Sequence, residues 1–183
     1  MTAILIQPGQ CPVEQPVLQL TPQKLIRGEA VRSVQQLVNF WQDFWAIGTP
    51  LATDGVYGPK TQAAVKSIQC MAFLTVDGIV GPQTWGFLCK GFENLPTLKM
   101  GSTGSFVTRL QAALRAEGIL PSFGIDGIFG QDTDRSVRFF QQELRQIGLA
   151  IAVNGVVNAE IWAQLSRRTT RFRACGVVSN NNE

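Results

Sequence analysis

The 183-residue sequence predicts an all-α fold: two tandem three-helix bundles with irregular N- and C-terminal tails. Two observations lead there. A turn of one design recurs four times, at Asp54-Gly55-Val56-Tyr57-Gly58, Asp77-Gly78-Ile79-Val80-Gly81, Asp126-Gly127-Ile128-Phe129-Gly130 and Asn154-Gly155-Val156-Val157-Asn158. Between the turns, apolar residues recur at the three-to-four spacing of half-buried helices. The turns fall in two pairs, so the chain reads as a duplication.

Each element follows in order. In the first unit, residues 28–89, Val31, Val34, Leu37, Val38, Trp41 and Trp45 share one helical stripe. Gly48 and then Pro50 predict its end, since Gly accepts the left-handed cap and Pro cannot continue a helix. Pro59 stands where the next helix opens, a position where its missing amide is harmless. Ala63, Ala64, Val65, Ile68, Met71 and Ala72 mark that helix, and Pro82, Trp85 and Leu88 a short third one. The second unit, residues 101–165, repeats the order. Val107, Leu110, Ala113 and Leu114 precede a stop at Gly118, Val137, Phe139, Phe140 and Leu144 follow, and Ile161, Trp162 and Leu165 close it. Residues 90–100 read as a linker. Residues 1–27 read as a Pro- and Gln-rich extension, and 166–183 as a tail carrying Arg167, Arg168, Arg171 and Arg173.

Composition excludes several classes. A net charge of +3 is too small for a nucleic-acid surface, where a dense basic stripe is wanted. No apolar run approaches the ~18 residues of a membrane helix, so no span is expected. The first residues lack a basic n-region and a long apolar core, which predicts cytoplasmic residence as encoded, or the cell envelope if another route exports the chain. Histidine is absent and the four cysteines lack CxxC spacing, so no metal or cofactor is expected. Cys11, Cys70, Cys89 and Cys175 read first as four free thiols, the usual state in a cytosolic chain, with Cys70–Cys89 and Cys11–Cys175 as the alternative pairs.

Each unit resembles the type 1 peptidoglycan-binding (PGBD-like) family, small three-helix modules attached to cell-wall hydrolases. The family's opening Gly-x-x-Gly-x-x-Val-x-x-Leu-Gln is matched by Gly101, Gly104, Val107, Leu110 and Gln111. Read in the same frame, the first unit keeps Gly28, Val34 and Leu37 but has Val31 and Val38 at the second Gly and the Gln. The central motif is matched by Asp54, Gly55, Tyr57, Gly58, Thr61, Ala64, Val65 and Gln69, and by Asp126, Gly127, Phe129, Gly130, Thr133, Val137, Phe140 and Gln141. The closing motif is intact from Asp77 to Trp85, and decayed from Asn154 to Trp162. The resemblance implies binding of peptidoglycan, through its glycan or its stem peptide. The motif residues have structural work as turn formers and first-turn caps. As ligand contacts, the residues to consider are Asp54, Tyr57 and Thr61, and Asp126, Phe129 and Thr133.

No enzyme is expected. Zinc amidases and carboxypeptidases need histidine ligands, and an L,D-transpeptidase needs a His-activated Cys. Of the carboxylates a glycosidase would pair, Asp54, Asp77 and Asp126 sit in turns, while Glu117, Asp132, Asp134, Glu143 and Glu160 sit on helices.

One feature lies outside the resemblance. On the first helix, Phe40, Phe44 and Ile47 widen the apolar arc to roughly 200°, against the ~100° a half-buried helix needs. The positions read as equivalent to Phe40 and Phe44 in the second unit are Ala113 and Glu117. This flank, with Arg167, Arg168, Arg171 and Arg173, suggests a protein partner and an alternative function as a structural linker or adaptor in a larger assembly. The first expectation remains non-catalytic peptidoglycan binding.

Overall fold

The computed structural model describes residues 11–21, 26–120 and 125–168. Among these are six α-helices and one two-stranded antiparallel sheet, divided between two compact units that meet in sequence at Asn94 and Leu95.

In unit one, β1 (Ile26–Arg27) pairs with β2 (Val56–Tyr57), and α1 (Glu29–Trp45), α2 (Pro59–Met71) and α3 (Pro82–Lys90) enclose the core. The predicted stripe is the buried one: Val31, Val34, Leu37, Val38, Trp41 and Trp45 all face inward. They meet Val65, Ile68 and Met71 of α2 and the wholly buried Trp85, Phe87 and Leu88 of α3 in the same core. α1 stops earlier than Gly48. Ala46 takes the left-handed conformation at φ 51°, and the Ile47 amide donates back to the Gln42 carbonyl at 2.9 Å, a Schellman-type closure. Burial of Ile47 secures a backbone shape that alanine adopts reluctantly. A 3-10 turn (Gly91–Asn94) follows α3, and Gly91 is required there, because a Cβ would lie 2.7 Å from the Trp41 ring.

In unit two, α4 (Ser105–Ala116), α5 (Gln131–Gln146) and α6 (Ala159–Ser166) repeat the order around Val107, Leu110, Leu114, Phe129, Val137, Phe140 and Trp162. The Thr103–Ile128 bridge stands where β1 and β2 pair in unit one.

The segments read as extension and linker are structural parts of the units. The Trp85 indole N–H donates to the Pro16 carbonyl at 2.8 Å, and Leu18 and Val80 exchange two backbone hydrogen bonds. In unit two the Trp162 indole donates to the Pro96 carbonyl at 3.0 Å, and Leu98 pairs with Val157 in the same way. A Pro-x-Leu strand therefore precedes each bundle and locks its final turn. Buried Trp needs a partner for its N–H, and this strand supplies it.

The cysteines pair differently from either arrangement the sequence suggested. Cys11 is bonded to Cys89, tying the N-terminal strand to α3, and Cys70 is disulfide-bonded as well. Cys175 lies outside the described residues. Pairing of this kind depends on which strand returns to which helix, and spacing alone does not encode it.

Candidate functional site

All four turns are built by one device. A buried glutamine on the preceding helix reaches into the turn and makes bonds from both ends of its amide. Gln35 donates to Asp54 Oδ1 (2.8 Å), the Val56 carbonyl (3.1 Å) and Thr61 Oγ1 (3.3 Å), and accepts from the Gly55 amide (2.9 Å). Gln69 repeats this with Asp77, Ile79, Thr84 and Gly78. Gln111 repeats it with Asp126, Ile128, Thr133 and Gly127. The turn glycines share φ between 72° and 74°, a left-handed value that excludes most other residues. In the fourth turn Gln141 keeps Asn154, Val156 and Gly155. Ile161 replaces the threonine, and Asn158 now caps α6 by accepting from the Ile161 amide at 3.0 Å. What reads in sequence as decay is an exchange of one first-turn contact for another.

This device corrects the alignment of the units. The Gly28 amide donates to the Gly55 carbonyl as the Gly104 amide does to Gly127, so Gly28 matches Gly104 and Gln35 matches Gln111. The glutamine that seemed replaced by Val38 is present three residues earlier. In this register Phe40 stands opposite Ala116, and Trp41 opposite Glu117. The seven-residue step from glycine to glutamine, 28 to 35 and 104 to 111, was the legible signal.

Several candidate contacts are withdrawn by burial. Tyr57 and Phe129 are both 0% exposed, so neither ring is a stacking surface. The Tyr57 hydroxyl donates to the Gly78 carbonyl at 2.8 Å, joining the first turn to the second. Burial, followed by the negative charge of Asp77, pushes that phenol above its ordinary pKa. Thr61 and Thr133 are buried inside the brackets. Asp54 and Asp126 remain at the surface.

Both carboxylates are held below the ordinary value of 3.8. The Gln35 amide is the main cause for Asp54, then the Val56 N–H, and Gln111 and Ile128 act likewise on Asp126. A lowered folded pKa means stability that is present above the unfolded pKa and lost as pH falls through the folded one. Acid is therefore expected to weaken these turns below about pH 4. The Asp54→Asn plus Asp126→Asn variant should show a flatter dependence of unfolding temperature on pH between about 2 and 5. Asn154 already holds the fourth turn without a charge.

The aromatic flank is largely filled from within unit one. Trp41 packs on Phe87 at 4.8 Å, Phe87 on Phe92 at 5.2 Å, and Phe44 on Trp41 at 5.3 Å. Ile47 is 2% exposed, so it is not a partner contact, and Phe44 is half-buried. Phe40 alone of the three stays exposed. The extra turn of α1 accounts for the cluster, since α1 has 17 residues and α4 has 12. Of the arginines, Arg168 lies 4.8 Å over the Phe140 ring and 3.4 Å from Glu143, Arg167 is exposed, and Arg171 and Arg173 lie outside the described residues.

Two hollows adjoin the turns of unit one. The larger, about 990 Å3, lies between the loop after α1, the first turn and the start of α2, and its lining includes Gln42, Leu51, Asp54 and Lys60. The smaller, about 260 Å3, adjoins the second turn at Asp77, Ile79 and Thr84. Among the described residues no cluster of His, Cys, Asp or Glu is arranged to hold a metal ion, and no helix is long and apolar enough to cross a membrane.

Comparison with known proteins agrees with this geometry. The family model described as "Putative peptidoglycan binding domain" matches residues 27–88 and 103–165, one span in each unit. The chain is 45% identical over 58 residues to a zinc D-Ala-D-Ala carboxypeptidase of Streptomyces albus G, covering 32% of this chain and 22% of that protein. It is 36% identical over 107 residues to a protein named as a probable N-acetylmuramoyl-L-alanine amidase of Bacillus licheniformis, covering 48% of this chain and 30% of that one. The matched stretch thus spans less than a third of either relative. No solved structure gives a significant match. The chain belongs to the peptidoglycan-binding domain family, and carries two of its domains in tandem.

Proposed function

We propose that this chain binds cell-wall peptidoglycan without acting on it chemically, using unit one as its principal binding module. The observation that carries this reading is the family match in both units, each with its bracketed turns built. The two relatives named above support the wall as the setting, since both carry names of wall-degrading activities and share only a short stretch with this chain. The turn carboxylates Asp54, Asp77 and Asp126 each accept the backbone N–H two residues on, a structural use that favours binding over catalysis.

The disulfides support a compartment outside the reducing cytoplasm, because structural disulfides persist in oxidising surroundings. That favours the envelope over the cytoplasm. The adaptor alternative loses support, since Ile47 and most of Phe44 are used within unit one.

Sedimentation with purified sacculi tests the reading. The chain is expected in the pellet at low salt, with purified sacculi and no other protein present. Recovery in the supernatant at every wall concentration would sink it.

A further inference from the structure

We propose that the 990 Å3 cleft of unit one takes the peptide branches of the wall polymer and not its sugar chain, an assignment that rests on the peptidoglycan-binding reading above. The volume lies at the upper end of the ~300–1,000 Å3 range of ligand clefts, enough for several peptide residues.

The first observation is Gln42. It belongs to the cleft lining, is only 7% exposed, and its Oε1 accepts no hydrogen bond among the described residues. A buried acceptor without a donor is destabilising and rare in folded proteins. The other four helix glutamines of the turns are fully engaged, so an unpaired one beside a cleft is anomalous. Gly48 packs against the same amide, where a Cβ would lie 2.9 Å from Nε2. A ligand N–H or ammonium that reached this amide would supply the donor it lacks.

The second observation is the chemistry of the walls. Asp54 brings a carboxylate, Lys60 an ammonium, and Pro50, Leu51, Pro59 and Ala63 an apolar floor. The positive end of the α2 dipole adds to Lys60 in favouring a carboxylate. Among the described residues no aromatic side chain lines the cleft. A sugar ring presents an apolar face that aromatic rings commonly cover, and that partner is missing. A short peptide with backbone N–H groups, a free ammonium and a free carboxylate matches every feature present.

The third observation is a difference in length between the two units at the wall of the cleft. Gln35 stands 19 residues before its aspartate and Gln111 only 15, a difference of four. That insertion supplies the extra turn of α1, the turn that carries Gln42. The position matching Gln42 in unit two is Gly118, which has no side chain to offer.

Calorimetry on the full chain decides the matter. The probes are a synthetic tetrapeptide with one side-chain ammonium and a free C-terminus, and glycan strands stripped of peptide. The tetrapeptide is expected to bind and to displace the chain from sacculi, while the stripped strands do neither. Gln42→Leu should weaken tetrapeptide binding about three- to tenfold. Its fold stability should be unchanged or raised, since an unpaired polar group is replaced by an apolar one. Asp54→Asn should weaken binding comparably while keeping the turn, whose acceptor oxygen asparagine retains as Asn154 does. Asp126→Asn is the matched control in unit two and should bind as the parent does. Should Gln42→Leu misfold, Asp54→Asn against Asp126→Asn decides alone. Equal binding of stripped glycan, or parental affinity in both unit-one variants, overturns the proposal. Retention on sacculi without competition by the tetrapeptide overturns it while leaving the wall-binding reading intact. Absence of retention on sacculi removes both.

Discussion

Replacing Gln69 with leucine is expected to destabilise unit one by about 3–5 kcal/mol, although the two side chains have similar volume. The amide of Gln69 is 1% exposed and makes four bonds of 2.8–3.1 Å to the second turn. Leucine would leave the buried Gly78 amide without an acceptor, at about 1–3 kcal/mol, and would strip one donor from the Ile79 carbonyl, which keeps the Thr84 hydroxyl, and one from Asp77. Partial rescue by water at the exposed Asp77 side sets the total below the simple sum. Gln69→Glu should be worse, because it keeps the acceptor, loses the donor and brings a second carboxylate against Asp77. Gln141→Leu should cost about 1 kcal/mol less than Gln69→Leu, since Gln141 makes as many bonds but its side-chain acceptor, Asn154, carries no charge. Urea unfolding followed by tryptophan fluorescence reads each value. A loss under 1 kcal/mol for Gln69→Leu would show that the turns hold their shape without the bracket.

How far such a device can be read from sequence depends on the range of the interaction. The six helices were legible because their burial obeys a local period, and the residues at that period, from Val31 to Trp45 and from Val107 to Leu114, are the buried ones. The Asp-Gly pairs announced the turns for the same local reason. The orientation of Tyr57 and Phe129 was not legible. A ring in a turn can face either way, and only the Gly78 carbonyl, 21 residues distant, draws the Tyr57 hydroxyl inward. The register of unit one failed similarly. Gly28 suits either glycine of the opening motif, and its pairing with Gly55 chooses between them. Leu18 with Val80, Cys11 with Cys89, and the open acceptor of Gln42 are all products of chain return. The structural half of the motif was therefore readable, while the surface left over for a ligand was not.

Removing the Cys11–Cys89 bond by Cys11→Ser plus Cys89→Ser is expected to cost unit one about 2–5 kcal/mol. The two residues are 78 apart in sequence, and closing a loop of that size restricts the unfolded chain by about 4.5 kcal/mol on the entropic model. Native contacts add to this. The tie holds down the strand whose Pro16 carbonyl accepts the Trp85 indole N–H, and whose Leu18 completes a bridge to Val80. If that strand departs, a fully buried tryptophan loses its hydrogen-bond partner at the centre of the core. Unit two offers an internal control, because the described residues of 95–168 contain no cysteine and Trp162 is served by Pro96 without a covalent tie. Calorimetry should accordingly resolve two transitions, with the double variant lowering that of unit one by roughly 10–25 °C and leaving that of unit two in place. Reductant should act on the parent chain in the same selective way, once thiol titration shows the bond open. Equal shifts in both transitions, or none with the bond verifiably open, would mean that the strand is held by its Trp85 and Val80 contacts alone.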